Sequence, residues 1–357
     1  MVSNYFTLDD IKSKLENLTK SLELNIDNKS TAIVSEYGGR LLGLFPKKDK
    51  INLLWVNPNV REVIQLGEWN VGGDRYWISP ERYYFYENPE SWEGWFCPKT
   101  LDPANYQILG YSNKSCTLSS KISIKNMSTK ILYNGEVTRQ LTAIKEPINT
   151  GIAHCAVEYV DDCVIYAPKI KLNGWSLTNV ISGGKGNPGT VLVPTKSAAK
   201  PLSYFRTIPK ERICVEEDYL AFKIDVDDIY KLAVRPEDIE FSRKAKIGYV
   251  LKIPKSEEYG FLVKLSEDVP ESQNHCFDVA RDHPDSEIGV IQSYNSESPN
   301  RPQLNFGEIE IQLKQFETID NTSHGKAKHQ LVGYIGSKEE IYTVIEKYLG
   351  IVDPTLY

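Results

Sequence analysis

The chain has 357 residues, 41% hydrophobic and 25% charged, which is globular composition with enough apolar material for a large core. Its net charge of -6 argues against nucleic acid as a main partner, because phosphate binding needs a basic face. No run of eighteen apolar residues is present, so the reading has no transmembrane helix, no membrane partner and, with a polar start lacking a leader-like apolar core, a cytoplasmic location.

Residues Leu8 to Leu24 place Ile11, Leu15, Leu18 and Leu22 at helical spacing behind Thr7, which predicts one amphipathic helix in an N-terminal extension, 1–29. From Ser30 the texture changes to short β runs separated by turns. Thr31–Val34, a turn and resumed strand within Glu36–Leu44, Asn52–Val56, Lys121–Ile124, Val137–Ile144, Ile152–Tyr159, Gly189–Val193, Leu220–Ile224, Ile247–Ile253, Gly260–Leu265, Gly289–Ser293, Glu308–Phe316 and Gln330–Ile335 are candidate strands. Ser337 to Tyr348, with Ile341, Val344, Ile345 and Tyr348 on one stripe and Gly350 behind, predicts a closing helix in the 337–357 tail. With no βαβ alternation and no linker, the expectation is one mainly-β domain of large antiparallel sheets, with short helices at its two ends.

The six cysteines are scattered and form no CxxC pair, which reads as reduced thiols rather than a disulfide framework or a zinc site. Cys155 and Cys163 are the one pair that a hairpin could bring together. The histidines show no metal-ligand spacing, so no metal and no cofactor is assigned.

Chemistry concentrates in a few stretches. Gly72-Gly73-Asp74-Arg75-Tyr76-Trp77-Ile78-Ser79-Pro80-Glu81 follows a flexible Gly pair with two acids, a base and aromatics, the mixture that a sugar site needs. It also suits a loop salt bridge over a core Trp. In Glu308-Ile309-Glu310-Ile311-Gln312-Leu313-Lys314 the apolar residues face one way and two carboxylates, about 7 Å apart, face the other. In a concave cleft, one would be a general base; on a solvated face, they would be ordinary surface charge. Arg139, sharing a strand face with Val137 and Leu141, is a ligand clamp or an internal strut. Gly183 to Gly189 is Gly-rich but lacks the order of a phosphate loop. His154 lies in an apolar strand, where a lone His is ordinarily a satisfied core residue.

Tyr37-Gly38-Gly39-Arg40-Leu41-Leu42-Gly43-Leu44, the Gly72–Glu81 stretch, Trp175 with Asn187 to Pro194, Ser293-Tyr294-Asn295 and Phe306-Gly307-Glu308-Ile309-Glu310, in this order, resemble the galactose-mutarotase-like (aldose 1-epimerase-like) superfamily, and its uncharacterised members more than true aldose 1-epimerases. The resemblance implies a β-supersandwich with a sugar cleft and cofactor-free acid-base chemistry, in which a late-strand Glu takes the anomeric proton and a His protonates the ring oxygen. Glu308 or Glu310 matches that Glu, with Glu308 preferred. Arg40, Asp74, Arg75, Glu81, Arg139, Asp282 and Asn295 become candidate sugar contacts, and Trp77 or Trp175 the stacking platform. The superfamily's mid-chain His-Pro-aromatic motif is missing, since this region reads Asn173-Gly174-Trp175-Ser176. The acid must then be replaced, with His154, Asp282 and Arg281 as candidates. The expected partner is a small carbohydrate, sugar acids and phosphosugars included. A non-catalytic sugar-binding protein and a polysaccharide-lyase-like enzyme are the alternatives on the same fold.

Overall fold

A computed structural model describes residues 5–197, 199–239, 245–270, 272–280, 288–296 and 305–357. Two large antiparallel sheets pack face to face, as expected for a supersandwich. Among the described residues the first has nine strands, in the order Ser21–Leu24, Thr31–Ser35, Arg40–Phe45, Asp74–Ser79, Asn173–Val180, Gly307–Gln315, Ile291–Asn295, Tyr230–Val234 and Leu202–Ser203. The second has eleven; at its centre lie Ala245–Lys252, Tyr259–Ser266, Thr322–Gly336, His154–Ile165 and Leu132–Ile144. The core fills the space between them, with Tyr76, Ile78, Ile309, Ile311 and Leu313 of the first sheet against Val137, Val157, Tyr159, Leu262 and Leu331 of the second. No described helix is long and apolar enough to cross a membrane.

The ends of the chain follow their capping chemistry. Ser337 and Glu340 form a capping box, and Gly350 closes the helix Lys338–Leu349 at φ 74°. This helix buries Ile341, Val344, Ile345 and Tyr348 on the outer face of the second sheet. At the N-terminus, Thr7 and Asp10 form a second box, but the helix spans Leu8–Leu15 rather than Leu8 to Leu24. Asn17 adopts φ 62°, a left-handed turn that Asn tolerates and a helix does not. The chain then returns as the edge strand Ser21–Leu24, with Leu22 opposite Val34. The apolar spacing over residues 11–22 therefore serves two elements.

Three further differences bear on the site. Asp74–Ser79 and Asn173–Val180, read from sequence as site stretches and not as strands, form the middle of the first sheet. Asn52 to Val56 is a buried connection rather than a strand, held by the Asn52 side chain, which donates to Leu42 O and accepts from Leu44 N–H. All six cysteines are free, and Cys155 and Cys163 share the strand His154–Ile165, so no hairpin bridge joins them.

Between the sheets lies a charged network within the apolar core. Lys264 Nζ donates to Asp74 Oδ2 at 2.7 Å and to Ser176 Oγ at 2.7 Å. Thr178 Oγ1 donates to the same Asp74 oxygen, and Arg139 Nη2 lies 3.2 Å from the other. Arg139 Nε donates to Asp161 Oδ1 at 2.8 Å, and its Nη1 donates to Gly39 O. His329 Nε2 sits 2.8 Å from Asp161 Oδ2, with its ring stacked on Tyr159 at 4.4 Å. The charges link the sheets because Asp74 belongs to the first and Arg139, Asp161, Lys264 and His329 belong to the second. Arg139 is thus the internal strut, and Asp74 is its partner rather than a cleft residue.

Burial alone would raise the Asp74 pKa, but Lys264 and Arg139 outweigh it and hold the carboxylate at about 2. A depressed carboxylate pKa contributes stability that is full above the unfolded-state value near 3.8 and lost as pH falls toward 2. Asp74→Asn leaves two buried cations short of a counter-charge, so a loss of about 3–5 kcal/mol in urea unfolding at pH 7 is expected. The parent's unfolding free energy is expected to decline between pH 4 and pH 2, and the decline should be shallower in the variant.

Candidate functional site

Strand pleating assigns each side chain of the first sheet to one of two faces. Asp74, Tyr76 and Ile78 point inward, so Arg75, Trp77 and Ser79 point outward. Register carries this outward set across three more strands: Trp175 stands opposite Trp77 and Gln312, Asn179 opposite Glu308, and Gln292 opposite Glu310. Lys231 joins from the next strand, opposite Tyr294. Two glycines allow the approach to this face. Gly72 and Gly73 have φ 94° and 77°, and a Cβ there would come within 2.4 Å of Trp55 O and 2.2 Å of Leu41 O.

Glu308 and Glu310 sit two residues apart in different surroundings. Arg75 Nη2 lies 2.7 Å from Glu308 Oε1, and Asn179 Nδ2 donates to the same oxygen at 2.9 Å. Arg75 Nη1 also donates to Asn179 Oδ1, closing a three-residue ring of contacts. The guanidinium lies over Trp77 at 4.2 Å and Trp69 at 5.6 Å. Glu310 is fully buried. Its Oε2 accepts from Trp175 Nε1 at 3.1 Å and lies 3.2 Å from Lys231 Nζ, which itself sits over the Trp175 ring. Burial pushes Glu310 up to about 7; Lys231 opposes the rise and Glu308 adds to it. Burial would lower Lys231, but Glu310, Glu81 and Asp278 outweigh it and keep the ammonium charged.

A cover closes over this face. Asp278 Oδ1 accepts from the Glu81 backbone N–H and Oδ2 from Gln292 Nε2. Trp95 Nε1 donates to Glu81 Oε1, and burial raises the Glu81 pKa. Trp95 touches Trp69, Trp69 touches Trp77, and Trp77 touches Trp175, with centroid separations of 5.5, 5.5 and 5.8 Å. Under the cover, Glu310 Oε1, Gln292 Oε1, Gln312 Nε2 and Arg75 Nε are buried polar atoms without a hydrogen-bond partner. Unpaired polar atoms converging on one face are what a hydroxyl-rich ligand would satisfy.

Of the residues expected from sequence, Arg75, Trp77, Glu81, Trp175, Glu308 and Glu310 come together here. Trp77 and Trp175 are buried, with cations on their rings, so neither is an open platform; the exposed indole is Trp95, at 41%. Arg40 is a buried clamp beside the cluster, donating to Gly72 O, Trp69 O and Asp102 Oδ2. Asp102 Oδ2 also accepts from Trp77 Nε1. Asp74 and Arg139 lie between the sheets, on the opposite side of the first sheet. Asn295 is also on that side, accepting from Asp225 and Val226 N–H and so fixing their turn. His154 belongs to the outer face of the second sheet, its ring 6.1 Å from Tyr334 beneath the closing helix, and so is not brought to the cluster. Asp282 and Arg281 lie outside the described residues.

Sequence reasoning missed Lys231, Asn179, Asp278 and Gln292, whereas Gln312 shares the carboxylate face by the alternation of its strand. Lys231 was the findable one, a lone cation inside the apolar strand Tyr230–Val234. The others are amides and an acid whose positions depend on register and a returning loop.

The fold and site define a β-supersandwich protein with a covered cluster of carboxylates, cations and indoles on one sheet. The chain belongs to DUF6786, a family of unknown function, whose sequence profile matches residues 7–353. A comparison with curated proteins gives no match. Similar solved structures include the Slr1438 protein from Synechocystis sp. PCC 6803, with 7% identity, a TM-score of 0.49, and 89% of this chain and 96% of that one covered. They also include the GalM/aldose epimerase homologue from C. elegans, with 9% identity, a TM-score of 0.42, and 89% and 99% covered.

The raised Glu310 carboxyl has a direct spectroscopic consequence. Infrared difference titration should show a protonated carboxyl band that disappears near pH 7, absent from Glu310→Gln and retained in Glu81→Gln.

Proposed function

We propose that the outer face of the first sheet binds a sugar ring and interconverts its anomers by acid-base catalysis without a cofactor. The observation that carries this reading is the carboxyl pair: environments that set two titratable groups apart assign an acid and a base. Glu308 is the ion-paired member, one oxygen fixed by Arg75 and Asn179. Glu310 is the member whose proton is available near neutrality.

In this mechanism Glu308 removes the proton from the anomeric hydroxyl. The O–H electron pair forms the C1 carbonyl, the bond from C1 to the ring oxygen breaks, and Glu310 delivers its proton to that oxygen. The open-chain aldehyde turns about its C1–C2 bond. On closure at the other face Glu310 takes its proton back from the attacking hydroxyl and Glu308 gives its proton to the C1 oxygen, so both groups return to their starting states and no atom or electron is gained or lost. Lys231, 3.2 Å from Glu310, offsets negative charge when that group is deprotonated. Glu310 thereby fills the role left open by the missing His. Among the described residues, Glu81, Asp278, Glu308 and Glu310 face the cations Arg75 and Lys231, a balance that favours a neutral sugar over a sugar acid or phosphosugar.

Proton NMR of aldoses, uronic acids and phosphosugars, against heat-inactivated protein, tests the reading. Faster anomeric equilibration of a neutral aldose is expected, with the rate falling as pH rises through 7. Glu308→Gln and Glu310→Gln should each lower it by about 10²-fold or more. Ligand line broadening without faster equilibration would instead establish a sugar-binding protein without catalysis.

A further inference from the structure

Beside the covered cluster the surface opens into a cavity of about 260 Å³ that the proposed chemistry does not use. Trp69, Trp95 and Phe96 supply aromatic wall, Glu68 and Lys99 stand at the rim, and Asp102 lines the interior. Asp102 is 2% exposed, and its Oδ2 is committed to Arg40 and Trp77. Its Oδ1 is buried without a hydrogen-bond partner, as is Arg40 Nε behind it. An unpaired carboxylate oxygen in a partly apolar wall is costly unless a donor reaches it. Indole faces beside such an oxygen match a sugar ring, whose C–H faces are apolar and whose hydroxyls donate.

The cavity is joined to the cluster. Trp69 lines it and also receives the Arg75 guanidinium. Trp95 lines it and donates to Glu81. Asp102 holds Trp77, the ring beneath Arg75, and its negative charge helps keep Arg75 charged. A ligand that fills both places therefore consists of two linked rings, one against Glu308 and Glu310 and the next in the cavity that Trp69 and Trp95 line.

We propose that the Trp69–Trp95–Asp102 cavity is a second sugar subsite and that the ligand is a neutral disaccharide or longer glycan rather than a free monosaccharide. This deepens the sugar-binding reading and rests on it, while requiring none of its acid-base chemistry. Hydroxyls of the second ring donate to Asp102 Oδ1, and its apolar face lies on the Trp95 indole.

Tryptophan fluorescence titration of the full chain with glucose, galactose, maltose, cellobiose and lactose tests it. At least one disaccharide should bind about tenfold more tightly than its component monosaccharides. Trp95→Ala should reduce that ratio to about one, and Trp95→Phe should retain most of it because a ring face remains. Loss of packing alone would weaken single and double rings together and leave the ratio unchanged, which would overturn the assignment. Equal affinity for monosaccharides and disaccharides in the parent protein would overturn it while leaving the acid-base reading intact. Tighter disaccharide binding without anomeric interconversion would support the subsite and remove the chemistry. No response to any of the five sugars would overturn the subsite.

Discussion

The structure depends on the ion pairs that join its two sheets through Asp74. A carboxylate with no exposed surface is tolerable only when fully compensated, and Lys264, Arg139 and Thr178 supply that compensation. Arg139 passes the constraint to Asp161, and Asp161 passes it to His329. Apolar packing would hold the sheets together at many relative shifts. A chain of directional contacts from one sheet to the other selects a single alignment. Because Arg75 follows Asp74 and a strand alternates its faces, fixing one side chain inward fixes the next one outward. The position of the candidate site is therefore set from the interior of the sandwich.

On the outward face the cations do not simply neutralise the acids. Arg75 is shared between Glu308 and two indole rings, and Lys231 is shared between Glu310 and the Trp175 ring. Each cation is thus held partly by aromatic surface. Glu308 has one oxygen held by two donors, Arg75 and Asn179, whereas Glu310 has a fully buried position and an unpaired oxygen. Two chemically identical side chains on one strand thus meet different surroundings, and burial raises the pKa of Glu310.

Much of the fold was legible in the sequence. Alternating apolar residues marked most strands, and the capping residues marked both terminal helices. Glu308 and Glu310 were legible for the same reason, because Ile309, Ile311 and Leu313 declare the inward face. Asp74–Ser79 and Asn173–Val180 were not legible as strands. Both of their faces are buried and both carry polar groups, so no apolar-polar alternation remains to be read. The opposite destinations of Asp74 and Arg75 were hidden by the same fact. His154 was misplaced because its apolar surroundings do not reveal which of two sheets, or which face, it occupies. Lys231 was overlooked as a single charge, Gln292 gains meaning only from register, and Asp278 only from a loop that returns over the sheet.

The placement of both carboxyls on one outward strand face also limits how this family can diversify. When two reactive groups sit on loops, insertions and deletions can vary their separation almost continuously. Here the pleat sets the increment: the next same-face position lies about 7 Å further along, and a one-residue slip turns the group into the core. Any change in the separation of these two carboxyls therefore requires a change of strand register rather than a loop insertion.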